Sequence, residues 1–190
     1  VPAGSVSTTE TAVAALGLLI AFAPFFALIA AAIRLSDPGP ALFKQRRVGL
    51  HGNEFEVYKF RSMVINAEAQ LTRLASQNEG NGLLFKMRSD PRVTKVGAFI
   101  RRYSLDELPQ LINVLRGDMS LVGPRPIRPR FFEQLAAELP AYWQRLVVRP
   151  GLTGFAQVRR GYETSMAEKL AHDLEWIADR SVPLYLRTLT

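Results

Sequence analysis

The sequence predicts an α+β protein that is mostly helical, with one β-hairpin and an apolar helix near its N-terminus. Of the 190 residues, 48% are hydrophobic and 22% are charged, which is typical of a packed protein and not of a disordered one. Apolar residues recur at helical spacing in several segments. Only two short runs are β-prone, and a turn separates them.

The apolar helix is predicted from an uncharged segment over residues 11–33. Residues 12–33 contain 11 large apolar side chains and nine alanines, together with Gly17 and Pro24. A helix of about 22 residues is about 33 Å long, enough for the hydrocarbon core of a bilayer. No basic region precedes the segment and no cleavage site follows a short apolar core, so we expect a retained membrane helix and not a signal peptide.

Pro24 leaves two topologies open for this helix. It lacks an N–H and disfavours helical angles at Ala23, so a kink or a break is expected. One topology is a single-pass span with a proline kink, and the other is a helix that enters one leaflet, turns at Pro24 and leaves on the same side. Basic residues follow closely after Arg34, whereas only Glu10 precedes the segment, so the positive-inside rule places the later part in the cytoplasm.

The chain is therefore divided into an N-terminal segment with the membrane helix, 1–36, and a compact cytoplasmic domain, 37–190. A turn signal at residues 37–40 separates them. In the cytoplasmic domain, residues 41–48 and 55–60 are predicted to form the hairpin, and helices are predicted over 64–79, 93–103, 106–116 and 129–139 and after a capping box at 165–168. Glycines at 80–82 and at 117 are predicted to end the first and third of these helices. Residues 118–129 and 149–158 are predicted to be loops.

The composition excludes several kinds of site. The chain has no cysteine and two histidines, His51 and His172, which excludes a disulfide scaffold, a cysteine-ligated metal and a multi-histidine metal centre. It contains no P-loop, dinucleotide fingerprint or G-x-S-x-G elbow. Acid–base or nucleophilic chemistry must therefore fall mainly on carboxylates.

Asp106 and Glu107 are the most informative carboxylates. They are predicted at a helix N-terminus, shortly after Arg101 and Arg102. Asp106 as an N-cap, or a capping box of Ser104 and Glu107, would explain the pair structurally. A helix N-terminus also stabilises carboxylates and phosphates, and an ionised aspartate can attack phosphorus where cations or Mg²⁺ screen the repulsion. Both interpretations remain open from these residues alone.

The basic charge is concentrated around this pair. Residues 86–130 carry ten basic and four acidic side chains, a balance of +6 in a chain of net charge +7. The planar fork of arginine suits phosphate oxygens, although any one arginine is equally explained as a solvated or headgroup-facing charge. Arg125 is the stronger candidate because Pro124 and Pro126 restrict the backbone on both sides of it. The pattern predicts an anionic partner at a membrane.

Five motifs follow one another in the order found in bacterial sugar transferases. They are 59–63 (KFRSM), 104–110 (SLDELPQ), 113–120 (NVLRGDMS), 122–126 (VGPRP) and 149–154 (RPGLTG). On these residues the chain closely resembles the monotopic phosphoglycosyl transferases, and the likeness covers nearly the whole chain. The resemblance implies transfer of a sugar 1-phosphate from a nucleoside diphosphate sugar, usually a UDP-sugar, to polyprenyl phosphate, with release of the nucleoside monophosphate.

The resemblance also implies roles for single residues. Asp106 matches the aspartyl nucleophile, which forms a covalent phosphosugar intermediate. Glu107 matches its partner, and the two carboxylates are the expected Mg²⁺ ligands. Lys59 and Arg101 match basic residues near this dyad, and Arg125 and Arg149 lie in motifs expected to hold phosphates. Asp173 matches a carboxylate of a late motif, and its exact role is less defined. All five residues are expected to bind substrate or phosphate.

Family members with a proline at the position of Pro24 have a re-entrant helix, broken at the proline, with both ends in the cytoplasm. The resemblance therefore favours the re-entrant topology and places the catalytic domain on the cytoplasmic face of the bacterial inner membrane. It implies the first membrane step of a glycan or exopolysaccharide pathway. Larger members carry further transmembrane helices and a domain before this unit, so a fragment of a larger enzyme remains one alternative.

The sequence departs from the family pattern in three places. Residues 8–11 lack the usual basic pair and aspartate, Phe155 stands where tryptophan is common, and Tyr185 stands where aspartate is common. Two other functions remain open: a membrane-tethered module that binds anionic lipid or nucleic acid, and a lipid pyrophosphate phosphohydrolase that uses the same aspartate. Nucleic acid is not expected, because the basic cluster lacks interleaved aromatics and recognisable motifs.

Overall fold

The computed structural model describes residues 7–74, 87, 89–160 and 165–189. The described part is mostly helical, with four short strands. The helices are α1 (Thr8–Ser36), α2 (Ala67–Leu74), α3 (Lys95–Arg102), α4 (Leu111–Arg116), α5 (Pro129–Glu138), α6 (Phe155–Arg160), α7 (Met166–Ala178) and α8 (Val182–Leu189). The strands are β1 (Leu42–Val48), β2 (Glu54–Phe60), β3 (Ser120–Val122) and β4 (Gly151–Thr153), and 3₁₀ segments cover Leu50–Gly52, Leu105–Gln110 and Pro140–Val147.

The chain packs as two compact units, which are described separately. Unit 1 contains Val1–Ala21, Lys44–Tyr58 and Gln110–Thr190, and unit 2 contains Phe22–Phe43 and Lys59–Pro109. This division follows the packing of the folded chain. The boundary between residues 36 and 37 separates a membrane segment from a cytoplasmic domain, and it stays a prediction.

Unit 2 is built on the second half of α1. Ile29 and Ile33, one helical turn apart, are buried in a cluster with Phe60 and Ile100. Phe26 packs edge-on against Phe60, with 5.8 Å between the ring centroids. Burial of each large apolar side chain contributes about 1.5–3 kcal/mol. The second half of α1 is therefore part of a folded core with the end of β2 and with α3.

The helix α1 is the one helix of the described residues that is long and apolar enough to cross a membrane, by length and composition. Pro24 lies inside it, and helical backbone continues on both sides of the proline. The helix runs from Thr8 to Ser36 without an interruption at Pro24, and a kink or break at this residue stays a prediction. Proline removes one N–H from the helix but holds φ near the helical value, so helical backbone can persist at this position. The re-entrant topology stays a prediction.

The sheet of β1 and β2 occupies the two β-prone runs of the sequence. In the turn between them, the Gly49 N–H donates to the Asn53 carbonyl at 2.8 Å. The predicted helix over 64–79 begins at Ala67, and its described part ends at Leu74. The rest of that helix and its glycine stop at 80–82 lie outside the described residues.

The structure confirms two predicted helix ends, a glycine after α4 and a capping box before α7. Gly117 ends α4 in the left-handed conformation, with φ of 82°, as expected for a glycine after a helix. The capping box before α7 is also present: the Ser165 hydroxyl accepts from the Glu168 N–H, and the Glu168 carboxylate accepts from the Ser165 N–H. The predicted helix over 106–116 differs at its start, because residues up to Gln110 form a 3₁₀ segment that contains Pro109.

Unit 1 contains a parallel pair of strands, β3 and β4, in segments that the sequence predicted to be loops. Ser120 pairs with Gly151, and Val122 pairs with Thr153. The Tyr185 hydroxyl of α8 lies 3.1 Å from the Ser120 Oγ and accepts from the Val122 N–H at 3.4 Å. The tyrosine that departs from the family pattern thus fastens α8 to β3.

Candidate functional site

The two candidate carboxylates lie in the 3₁₀ segment Leu105–Gln110, just after α3. The preceding residue, Ser104, has φ of 56°, and its carbonyl accepts from the Glu107 N–H at 3.2 Å. An N-cap residue has an extended backbone, which differs from the left-handed Ser104. Asp106 lies within the 3₁₀ segment and not before it. Neither capping interpretation fits this geometry, so capping does not explain the pair.

Glu107 is paired with a lysine from β2. The Lys59 Nζ donates to the Glu107 Oε1 at 2.6 Å. The two side chains are only 19% and 18% exposed, so water screens their attraction less than it would on an open surface. The contact joins residues 48 positions apart in the chain. It holds the lysine ammonium beside the carboxylate dyad.

The neighbouring carboxylate, Asp106, is half-buried. Burial raises its pKa above the ordinary 3.8, because loss of water disfavours the ionised form. The positive charges of Lys59 and Arg101 oppose this change in pKa, and the negative charge of Glu107 adds to it. An aspartate that ionises in such a place has few waters to shed before it attacks an electrophile, so it suits nucleophilic chemistry.

Arg101 is held near the dyad by a close contact between α3 and the residues after β2. Its Nε donates to the Ser62 Oγ at 2.7 Å. The helix can approach because residue 97 is glycine: a Cβ there would lie 1.8 Å from the Ser62 carbonyl oxygen. Thr94 caps the same helix by accepting from the Gly97 N–H at 2.9 Å. Unit 2 therefore brings together four of the predicted site residues: Lys59, Arg101, Asp106 and Glu107.

The two carboxylates of the dyad are ligands of the kind that Mg²⁺ binds, but they are too few to hold the ion alone. Proteins usually bind this ion through one or two carboxylates, with substrate phosphates and water as the other ligands. The described residues contain no group of three or more side chains that would hold a metal alone. Asp106 and Glu107 therefore match a metal that binds together with a phosphorylated substrate.

The remaining candidates belong to unit 1. Arg125 is half-buried in the loop after β3, and the Arg149 Nε donates to the Gly117 carbonyl at 2.8 Å. Asp173, predicted as a substrate- or phosphate-binding residue, lies on α7. It is 4% exposed, and its Oδ2 accepts from the Arg145 Nη2 at 2.6 Å. Burial raises the pKa of Asp173, although the arginine opposes the change. The structure thus places this carboxylate inside the protein.

Arg145 is the residue that the sequence analysis missed. It is 6% exposed, in the 3₁₀ segment Pro140–Val147, and its guanidinium also donates to the Tyr142 hydroxyl and to the Arg125 carbonyl. No local pattern marks a single arginine in such a segment. Its partner in the sequence lies 28 residues away, so only tertiary packing shows the pair.

Residues 5–190 match the family model described as bacterial sugar transferase. The chain belongs to this family. Named relatives support the assignment. A UDP-glucose:undecaprenyl-phosphate glucose-1-phosphate transferase of Caulobacter vibrioides is 44% identical over 186 residues, which are 93% of this chain and 66% of that protein. A protein of the same description from Escherichia coli is 45% identical over 179 residues, 91% of this chain and 36% of that protein.

A third relative is the UDP-N-acetylgalactosamine-undecaprenyl-phosphate N-acetylgalactosaminephosphotransferase of Aeromonas hydrophila. It is 43% identical over 164 residues, 85% of this chain and 36% of that protein. The chain thus spans about a third of the length of two of these relatives and just under two thirds of the other. The names of these relatives specify two different sugars, glucose and N-acetylgalactosamine.

Proposed function

We propose that the chain transfers a sugar 1-phosphate from a nucleoside diphosphate sugar to polyprenyl phosphate, as the first membrane step of a bacterial glycan or exopolysaccharide pathway. The expected donor is a UDP-sugar. The names of the relatives support this substrate class. The observation that carries the proposal is the half-buried Asp106 carboxylate, whose pKa is raised by burial, beside the cations Lys59 and Arg101. Partial desolvation makes an ionised carboxylate more reactive, and nearby cations reduce its repulsion from the donor phosphates.

The proposed reaction has two displacements at one phosphorus atom. In the first, an Asp106 oxygen forms a bond to the phosphorus that carries the sugar, and the bond from that phosphorus to the bridging oxygen of the diphosphate breaks. The bridging oxygen leaves with the nucleoside monophosphate, which is UMP for a UDP-sugar. In the second, an oxygen of polyprenyl phosphate attacks the same phosphorus, and the aspartyl oxygen leaves as a free carboxylate. The products are a polyprenyl diphosphate sugar and regenerated enzyme.

The other residues have binding roles in this proposal. Lys59 and Arg101 reduce the repulsion between Asp106 and the donor phosphates. Glu107, held by Lys59, completes a pair of carboxylates. Asp106 and Glu107 would hold Mg²⁺ together with the donor, and the ion would neutralise charge on the phosphate oxygens. Arg125 and Arg149 bind phosphate groups through their guanidinium forks.

The proposal is tested by measuring UMP release and the mass of the intact protein. Purified protein is incubated with Mg²⁺ and a panel of UDP-sugars, with and without polyprenyl phosphate, while UMP and intact protein mass are measured. Without lipid, the mass should increase by one phosphosugar, and lipid should discharge it as UMP accumulates. No UMP with any donor would overturn the proposal. Release of inorganic phosphate from a lipid pyrophosphate would indicate a phosphohydrolase, and salt-dependent lipid binding without product would indicate a binding module.

We further propose that α1 enters only one leaflet of the inner membrane and keeps the catalytic part on the cytoplasmic face. Phe26, Ile29 and Ile33 pack in or against the unit 2 core. The uncharged residues before them, 11–25, form about 15 residues of helix and about 22 Å. This is shorter than the hydrocarbon core of about 30 Å, which supports partial immersion over a complete span.

Pro24→Leu should convert this anchor toward a span, because it restores an N–H and removes the ring that crowds the preceding turn. The chain has no cysteine, so Ser7→Cys provides a single reporter for a membrane-impermeant maleimide on intact cells. We expect no external labelling in the parent and labelling in the Pro24→Leu protein, with Ala178→Cys as a reporter that stays protected in both. External labelling of the parent at residue 7 would contradict the one-leaflet topology.

The rate of UMP release should fall on acidification at a higher pH than an exposed aspartate would give. Only ionised Asp106 attacks phosphorus, and its pKa is raised above 3.8 by burial. Activity is therefore complete above that raised pKa and declines as the pH falls through it. The measurement is kcat/KM for the donor against pH, with circular dichroism to show that the fold persists. A decline only at or below the ordinary aspartate value would exclude a desolvated nucleophile.

A further inference from the structure

The loop 124–127, which carries Arg125, is fixed by its carbonyl groups. The prolines at 124 and 126 have no N–H. The backbone of this loop can therefore form hydrogen bonds mainly through its carbonyl oxygens. Each of its four carbonyls accepts one hydrogen bond: Pro124 from the Gly151 N–H at 3.0 Å, Arg125 from the Arg145 Nη2 at 3.0 Å, Pro126 from the Arg47 Nη1 at 3.0 Å and Ile127 from the Val48 N–H at 2.8 Å. Two of the four donors are guanidinium groups.

The Arg145 guanidinium, which donates to the Arg125 carbonyl, is fixed by two buried partners. The same Nη2 of Arg145 donates to the Asp173 Oδ2 at 2.6 Å, and Nη1 donates to the Tyr142 hydroxyl. Both charged side chains are almost fully buried. Asp173 and Tyr142 thus fix the plane of the guanidinium, and that plane directs one N–H at the loop.

Stability alone does not account for this pair. Two buried charges lose their hydration, and replacing such a pair by apolar residues of similar volume is often neutral or stabilising. In addition, the buried Arg145 Nε makes no hydrogen bond within the part of the chain that the structure describes. What the pair provides that an apolar pair would not is the hydrogen bond to the Arg125 carbonyl.

We propose that Arg145 and Asp173 are positioning residues that hold Arg125 ready for a substrate phosphate. The inference rests on the proposed function, and it changes the role of Asp173 from a substrate contact to a support for the arginine that makes one. Arginine binds phosphate in a fixed fork geometry, so its backbone must not drift between turnovers. A loop that is already ordered loses less entropy when the donor binds.

The test replaces the pair without leaving a buried charge. Arg145→Met with Asp173→Leu removes both charges, and the fold is expected to survive because volume is kept. All variants carry Asp106→Asn, so donor binding is measured by calorimetry without turnover. We expect the donor Kd to rise about tenfold, the effect of one charge-assisted hydrogen bond. We expect no further rise when Arg125→Ala is already present, since the pair acts through that residue.

A second measurement decides the inference even if no donor binds. The N–H groups of Gly151 and Val48 donate to the Pro124 and Ile127 carbonyls, so their hydrogen exchange reports on the order of the loop. This loop exchange should become faster in the double variant, while exchange in α7 keeps the rate of the parent. Glu175→Gln is the matched control, because it breaks an exposed pair with Arg159 on the same helix as Asp173. Its loop exchange and donor Kd should equal those of the parent.

The outcomes separate the two proposals. Unchanged loop exchange in the double variant would overturn the positioning role, as would losses of donor affinity that simply add to those of Arg125→Ala. A parent protein that binds no UDP-sugar would overturn the proposed function instead. If the double variant does not fold, Arg145→Lys replaces it: lysine keeps a charge for Asp173 but lacks the fork that reaches two acceptors, so loop exchange should again become faster.

Discussion

Asp106→Asn is expected to lower UMP release by about 10³-fold or more while the fold becomes more stable. The amide cannot form the bond to phosphorus, and loss of a covalent nucleophile has effects of this order or larger. The Asp106→Asn protein should nevertheless be more stable than the parent, because burial raises the pKa of the Asp106 carboxyl. A carboxyl of raised pKa destabilises the fold above its folded pKa, and the penalty disappears as the pH falls through that value. At neutral pH, asparagine removes the penalty.

The measurement combines the UMP assay with thermal melting at neutral and acidic pH. The melting temperature of Asp106→Asn should exceed that of the parent at neutral pH, and the difference should shrink on acidification. Asp179→Asn, at an exposed aspartate that follows α7, should change neither activity nor melting temperature. Activity close to the parent level in Asp106→Asn would overturn the nucleophile, and a lower melting temperature would mean that unfolding explains any loss.

Gly97→Ala is expected to destabilise the protein by about 3 kcal/mol and to lower activity with it. The added Cβ would lie 1.8 Å from the Ser62 carbonyl oxygen and 2.6 Å from its carbon. Both are backbone atoms that cannot rotate away, so α3 must move. Arg101 lies on that helix and bonds Ser62, which means that displacement of α3 also disturbs the cation near Asp106.

The close contact and the helix propensity of alanine predict opposite changes in stability for Gly97→Ala. Alanine is about 1 kcal/mol better than glycine inside a helix, so Gly97→Ala would stabilise the protein if the close contact did not exist. Gly17→Ala is the matched control, because a Cβ at that helical position meets nothing within 4 Å. Denaturant unfolding of both variants gives the comparison. A free energy of unfolding for Gly97→Ala at or above that of the parent would contradict the contact.

Elements with local signals were predicted well from the sequence. The apolar α1, the glycine stop of α4 and the capping box of α7 each depend on residues a few positions apart. The strands β3 and β4 were missed because each has three residues, too few for alternation to be visible. Their parallel pairing joins segments about 30 residues apart in the chain, and no local pattern encodes it.

Residues of the candidate site that lie in motifs could be named from the sequence, whereas contacts that depend on tertiary packing could not. Asp106, Glu107 and Lys59 were singled out because they lie in recognisable motifs, and their roles stay predictions. The capping interpretations of the dyad failed because the turn at Ser104 is left-handed, which the residue type does not reveal. The partner of Asp173 depends on how α7 packs against the segment Pro140–Val147, so neither its burial nor its pairing with Arg145 could be predicted from the sequence.

The contact between β3 and β4 has a consequence for the two arginine motifs beside it. A Cβ at Gly123 would lie 2.5 Å from the Arg149 carbonyl oxygen, and a Cβ at Gly151 would lie 2.0 Å from the Gly123 nitrogen. The two arginine motifs therefore meet through their main chains, with no side chain between them. A larger residue at either glycine would push the two segments apart, so the backbone positions of Arg125 and Arg149 are linked directly to each other.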